Sequence, residues 1–238
     1  MLLLGFDTAT PQVSLAMSVD GAVVGELRLG HDLRLGHDRR HAEHLAPGIE
    51  YLCRHLELEL SQVSGIAVGL GPGLFTGLRV GVTTAKVMAQ ALRVPIVGVP
   101  SLDLVAYPLR HASRVIVAAL DARRGEVFHA RYQPVPGGVQ RVSDYEVGGP
   151  VDLVADLVAA GDEVLLAGDG VLQYRDAFAG VDRAEQAGPS FAAPSAVALL
   201  ELVAARMERE EFSSAWDVQP LYLRQSDAEI EWERRLAS

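Results

Sequence analysis

The chain has 238 residues, 49% of them hydrophobic, and a formal net charge of −10 at neutral pH. That length allows one large or two modest domains with a real core, and no apolar run reaches membrane-spanning length. So acidic a chain is a poor stand-alone binder of RNA or DNA, since phosphate contacts need a basic surface that a partner would have to supply.

In chain order, Leu2–Thr8, Gln12–Val19 and Ala22–Leu29 read as three antiparallel strands, and the start carries no basic region that would mark a signal peptide. Asp20-Gly21 between apolar runs is a hairpin signal. A polar stretch follows, built on a literal duplication, Leu29–Arg34 and Leu35–Arg40, read as a loop without catalytic importance. Next comes a helix with Leu45, Ile49, Leu52, Cys53 and Leu56 on one face, with Pro47 early in it. The apolar run Ile66–Leu70 reads as a buried strand.

The run Gly71-Pro72-Gly73-Leu74-Phe75-Thr76-Gly77-Leu78-Arg79-Val80-Gly81 then opens a helix over Thr76–Leu92. A Gly-Pro-Gly turn bends sharply and allows close approach. Gly73, Gly77, Gly81, Ala85 and Ala89 recur every fourth residue and form one stripe of tiny side chains. Glycine inside a helix costs about 1 kcal/mol relative to alanine, so another backbone must come very near. Two contacts fit the stripe: packing inside its own domain, or packing against a partner helix. Arg79 and Lys86 lie nearly on one face and could meet partner acids or solvent. A short strand, Ile96–Val99, closes this unit, whose order resembles a ribonuclease-H-like fold.

The second half echoes the first. Val115–Leu120 ends in Asp121, turns at Ala122–Gly125 and returns as Glu126–Tyr132, as Leu3–Phe6 ends in Asp7, turns at Thr8–Pro11 and returns. A third strand is expected around Val139–Val147, then a helix from Pro150 to a stop at Gly161. A strand Glu163–Ala167, a loop Gly168-Asp169-Gly170 and a helix Pro194–Met207 complete it. Two like halves predict an α/β protein of two ribonuclease-H-like domains of the actin/Hsp70/sugar-kinase type, spanning 1–108 and 109–224, with a polar, loosely held tail over 225–238.

In that fold the strand-Asp-turn-strand loops hold nucleotide phosphates through backbone N–H groups, normally with a glycine for close approach. Here the first loop, Asp7-Thr8-Ala9-Thr10-Pro11, has no glycine, and the second, Asp121-Ala122-Arg123-Arg124-Gly125, places two arginines in the turn. Asp7, Thr8, Thr10, Asp121, Arg123 and Gly125 therefore mark either an ATP cleft or a degenerate one, in which Asp7 and Thr10 stabilise their turn locally. His31, His37, His41 and His44 form a short cluster without accompanying carboxylates, which is compositional only, and no metal site is expected. Cys53, the single cysteine, sits on an apolar face and reads as a small hydrophobe in a reducing compartment. Neither a Gly-x-Ser-x-Gly elbow nor a Walker-type run occurs, and Trp216 and Trp232 have no aromatic platform around them for base stacking.

Phe6–Thr10, Gly71–Gly81, Leu120–Val127 and Pro220-Leu221-Tyr222-Leu223-Arg224 resemble, in order and across nearly the whole chain, the marks of the TsaB (YeaZ) family. The resemblance implies a cytoplasmic, non-catalytic subunit of the bacterial machinery that makes N6-threonylcarbamoyladenosine at position 37 of tRNAs reading codons that begin with A. It implies a homologous catalytic partner of TsaD type that carries the active site and its metal. It further implies an ATPase subunit of TsaE type, tRNA contacted only through the complex, and a possible homodimer when the chain is alone. The chain itself would hold no cofactor, with ATP, ADP or an adenylate a candidate at the complex interface. The helices at 42–58 and 76–92 would face the partner, with Leu45, Ile49, Leu52, Gly73, Phe75, Thr76, Gly77, Arg79, Gly81, Thr84 and Ala85 at the contact. Two alternatives stand beside this reading: a small ATPase using Asp7 and Asp121, and a metal-dependent peptidase of glycoprotease type using His41 and His44.

Overall fold

A computed structural model describes residues 1–30 and 41–224. It contains two sheets. The first has the order β3-β2-β1-β4-β5, built from β1 (Leu2–Asp7), β2 (Val13–Val19), β3 (Ala22–Leu29), β4 (Gly65–Gly69) and β5 (Ile96–Val99). β1 pairs antiparallel with β2 and parallel with β4. The β2–β3 hairpin turns on Asp20 and Gly21, with φ of 50° and 81°. Left-handed values at both positions suit the right-handed twist of the flanking strands.

Alternation along β1 splits this sheet into two buried faces. Leu2, Leu4 and Phe6 join Val13, Leu15 and Met17 beneath α1 (His41–His55) and α2 (Phe75–Leu92). Leu3 and Ala16 face the other way, with Ala67, Val97 and Val99. The second sheet has the order β11-β10-β6-β7-β8, with β9 on β7. Its strands are β6 (Val115–Arg123), β7 (Glu126–Val135), β8 (Gly138–Arg141), β9 (Glu146–Gly148), β10 (Val164–Ala167) and β11 (Ala184–Gln186). α3 (Ser101–Ala106) packs on one face with Leu102, Val105 and Ala106. α4 (Pro150–Ala160), α5 (Asp169–Gln173) and α6 (Arg175–Phe178) cover the other, with Leu153, Leu157, Val171 and Phe178.

Three expectations need correction. The single strand at 139–147 is two, because the chain bends at Ser143, whose Oγ accepts from Arg131 N at 3.0 Å, and pairs with β7 at two separate places. The stretch 168–170 is not a plain loop: Gly168, at φ 113°, turns the chain so that Asp169 opens α5. β6 runs past Asp121 to Arg123 through an irregularity in its pairing with β7. α7 (Ala196–Glu208) lays Ala196, Leu199, Leu200, Val203 and Met207 on the second face of the first sheet, the one left open by α1 and α2.

Candidate functional site

The two strand-Asp-turn units end at a shared cleft. At the end of β1, Asp7 is buried. Its Oδ1 accepts from Ala9 N at 2.8 Å and its Oδ2 from Ser101 Oγ at 2.5 Å. Ser101 Oγ in turn accepts from Gly71 N at 3.0 Å. Gly69 is glycine because a Cβ there would sit 1.8 Å from Asp7 Oδ2. Burial pushes the Asp7 carboxyl up to about 6, against the pull of Ser101 and Ala9. The carboxylate thus ties three segments together: its own turn, the glycine run and the start of α3. Thr10 Oγ1 makes the local turn contacts expected of it, donating to Gln12 O at 3.2 Å and standing 3.3 Å from Gln12 N.

The second unit is held differently. Asp121 Oδ1 accepts from Arg123 N at 2.9 Å and from Tyr174 Oη at 3.0 Å. Its Oδ2 lies 3.6 Å from Arg123 Nε. Arg123, Arg124 and Gly125 all have left-handed backbones, with φ of 64°, 57° and 80°. Two arginines in that region are costly, and the Asp121 bond to Arg123 N fixes the turn. Asp169 Oδ1 accepts from Asp121 N at 2.9 Å. Burial first, then the Asp121 charge, push Asp169 up to about 7.

The cleft between the units has a volume of about 330 Å³ and is lined by Thr10, Gln12, Asp121, Asp169 and Gln173 among others. Two carboxylates at its wall oppose a phosphate chain, and the bulky arginine turn offers no glycine cradle of the kind phosphates use. Ser101, Asp169 and Tyr174 were missed by sequence reasoning. The Gly-Asp-Gly run was the available signal for Asp169, whereas nothing local marks Ser101 or Tyr174.

The small-residue stripe has a close neighbour within the chain. Thr8 Oγ1 donates to Gly77 O at 2.7 Å. A Cβ on Gly81 would stand 2.2 Å from Thr8 Oγ1, and one on Gly73 would stand 2.2 Å from Ala9 O. Gly77, Gly81 and Ala85 are buried, and so are Leu45, Ile49 and Leu52, which look down onto the first sheet. The stripe is small because the β1–β2 turn presses on it. Of the other expected contact residues, Thr76 and Arg79 are exposed, whereas Gly73, Phe75 and Thr84 are half-buried. On α1 the outward positions are Ala46, Glu50, Tyr51 and Arg54.

The Pro220–Arg224 motif straps across the head of α2. Leu221 N donates to Leu70 O at 2.7 Å. Tyr222 stacks on Phe75 with ring centroids 5.1 Å apart, and Arg79 lies over Phe75 at 3.9 Å. Arg224 reaches Glu126 at 2.6 Å, tying the strap to the second sheet.

His31, His37 and the side chain of His41 lie outside the described residues, as does the tail 225–238. No group of three metal-ligating side chains occurs among the described residues. Burial raises the Cys53 thiol above its usual value, which fits its reading as a packing residue. No described helix is long and apolar enough to cross a membrane.

A family model described as TsaD, tRNA N6-adenosine threonylcarbamoyltransferase, matches residues 37–232. The structure of YeaZ from Pseudomonas aeruginosa superposes with a TM-score of 0.77 at 30% identity, covering 93% of this chain and 99% of that one. The chain belongs to the TsaB (YeaZ) family. The Haemophilus influenzae tRNA threonylcarbamoyladenosine biosynthesis protein TsaB is 28% identical over 242 residues, 98% of this chain and 97% of the relative. Escherichia coli TsaB is 32% identical over 141 residues, and that match spans 58% of each chain. The TsaB match thus runs from end to end in one relative and through little more than half of another.

Proposed function

We propose that the chain is the non-catalytic, activating subunit of the assembly that transfers threonylcarbamoyl from threonylcarbamoyl-AMP to N6 of adenosine 37 in tRNAs reading codons that begin with A. The observation that carries this reading is the use made of the cleft acids. Asp7 is buried in a structural knot, and Asp121 is spent on its own turn and on Tyr174. Asp7 is closed off from any substrate, and Asp121, at the cleft wall, already accepts from Arg123 N and Tyr174 Oη, so neither is free as a general base would be. The carboxylates at the cleft wall also disfavour a phosphate chain.

On this reading a homologous catalytic subunit of TsaD type holds the metal and the reacting groups. The present chain contributes differential binding: it favours the partner's active conformation by contacting that state better. The outward residues of α1 and α2 form the contact, with Thr76 and Arg79 among those first expected there and Tyr51 added to them. An ATPase subunit of TsaE type joins the assembly, and ATP, ADP or an adenylate sits at the subunit interface. The acidic surface suits protein contacts and leaves tRNA to basic partners. The setting is cytoplasmic, and the chain alone forms a homodimer through the same face. The chain divides into units near residues 1–108 and 109–224, with α7 returning to the first.

The test is tRNA modification in a reconstituted mixture of the catalytic homologue, the ATPase subunit, tRNA and a source of threonylcarbamoyl-AMP, with and without this chain. Activity only when the chain is present, and none from the chain alone, is the expected result. Full activity without it overturns the proposal. ATP binding by the isolated chain that is lost in Asp7→Ala would support the ATPase alternative.

A further inference from the structure

We infer that the groove beside the C-terminal half of α2 is the receptor for an acidic helix of a protein partner, which seats an apolar side chain against Trp216. The inference rests on the reading of the chain as a partner-bound subunit and names the chemistry of that partner. The groove has a volume of about 450 Å³, with Thr83, Lys86, Val87, Gln90, Val94 and Trp216 among its walls. Trp216 is 75% exposed and Val87 is 58% exposed. The two exposed apolar side chains line one groove, and clustered exposed apolar groups mark interaction sites.

The loop that carries Trp216 is pinned on both sides. Ser213 N donates to Ile96 O at 3.1 Å, forming a bridge onto the edge strand β5. Lys86 Nζ donates to Val218 O at 3.1 Å, and Val218 is buried in the core beneath α2. The backbone on both sides of Trp216 is therefore held in place before any partner arrives. A pre-positioned aromatic beside a pocket is the usual anchor of a protein interface.

Charge identifies the occupant. α2 contains no acidic residue, and Arg79, Lys86 and Arg93 follow one another at seven-residue spacing along it and at its C-cap. None of the three is ion-paired among the described residues, whereas Arg28, Arg54, Arg110, Arg114 and Arg209 each hold a glutamate. The row makes a local positive strip on a chain of net charge −10. Its cations are about 10.5 Å apart along the axis, at 1.5 Å per residue. Carboxylates at the same seven-residue spacing on a second helix would match that repeat. A nucleic-acid strand fits less well: its charges recur about every 3.4 Å of axis, and the strongly acidic protein repels it at longer range.

The experiment uses the full chain and its TsaD-type homologue from the same organism. Trp232→Phe leaves Trp216 as the sole tryptophan. The expected results are a blue shift of its emission on mixing and an affinity at least about tenfold weaker for Trp216→Ala. Arg79→Glu with Arg93→Glu should weaken binding and flatten its salt dependence. An unchanged melting temperature in Trp216→Ala shows that the fold is intact. A complex that forms with unshifted emission, and with Trp216→Ala affinity within about twofold of the parent, overturns the groove and leaves the functional reading standing. No complex at tens of micromolar overturns both. tRNA binding by the isolated chain that is lost in the double arginine variant reassigns the strip to nucleic acid and overturns the inference.

Discussion

The Thr8 hydroxyl donates to the carbonyl of Gly77, 2.7 Å away and 69 residues along the chain. Through that bond the β1–β2 turn lies directly on α2. The next helical turn, at Gly81, is so close that any side chain there would meet the same hydroxyl at 2.2 Å.

Gly81→Ala should therefore destabilise the protein, although alanine is the better helix former by about 1 kcal/mol. Overpacking against Thr8 costs about 1–3 kcal/mol and outweighs that gain. Gly81→Leu should cost more and yield poorly folded protein. Urea unfolding of Gly81→Ala, Thr8→Ala and the double variant tests this. The double variant should be less destabilised than the sum of the two, because Thr8→Ala removes the obstructing hydroxyl.

Asp169 and Asp7 make stability depend on pH in a defined direction. Burial raises them to about 7 and about 6, above the ordinary 3.8. The folded state then holds its protons more tightly than the unfolded state. Their contribution is full below pH 4 and is lost as pH rises through 6 and 7. Asp169→Asn keeps an oxygen for Asp121 N and removes the titration. Relative to the parent it should gain on the order of 2–4 kcal/mol between pH 4 and pH 8, read from denaturation midpoints at the two values.

Asp121→Ala should loosen the turn that holds Arg123 and Arg124 in left-handed conformations. It removes the acceptor for Arg123 N and for the Tyr174 hydroxyl. A loss of about 1–3 kcal/mol is expected, together with faster amide exchange at residues 123–125.

Tyr132 and Tyr145 both donate to Asp103 Oδ1, at 2.7 and 2.8 Å, joining α3 to the second sheet. Tyr132→Phe should cost about 1–3 kcal/mol, because these hydrogen bonds go to a partly buried carboxylate. Tyr145→Phe should cost less, since its ring is the more exposed of the two. Thermal melts of the two variants at one pH rank them.

Much of the fold was legible in local chemistry. Asp20-Gly21, the Pro150 start and the Gly161 stop each act through backbone geometry within a few residues, and each stands where its chemistry requires. The apolar run at residues 2–8 marked a strand, but neither that both faces of its sheet are buried nor what covers them. The packing of α7 is set by a face some two hundred residues earlier, and no local pattern encodes it. The candidate site was legible in part for the same reason. Asp7 and Asp121 stand out at strand ends, whereas Ser101 and Tyr174 become partners only once the sheets form. The small-residue stripe was visible, and its periodicity gave a close contact. Periodicity alone could not choose between the chain's own Thr8 and another molecule.

The return of α7 to the first sheet has a consequence for synthesis. Leu3 and Leu200 belong to one cluster, so one face of the first sheet stays uncovered until nearly the whole chain has left the ribosome. Such long closures slow folding, and in the interval the waiting apolar face is open to aggregation. A chaperone that shields a five-stranded sheet on one side should bind a released chain truncated at residue 190, which lacks α7, and should not bind the released full-length chain.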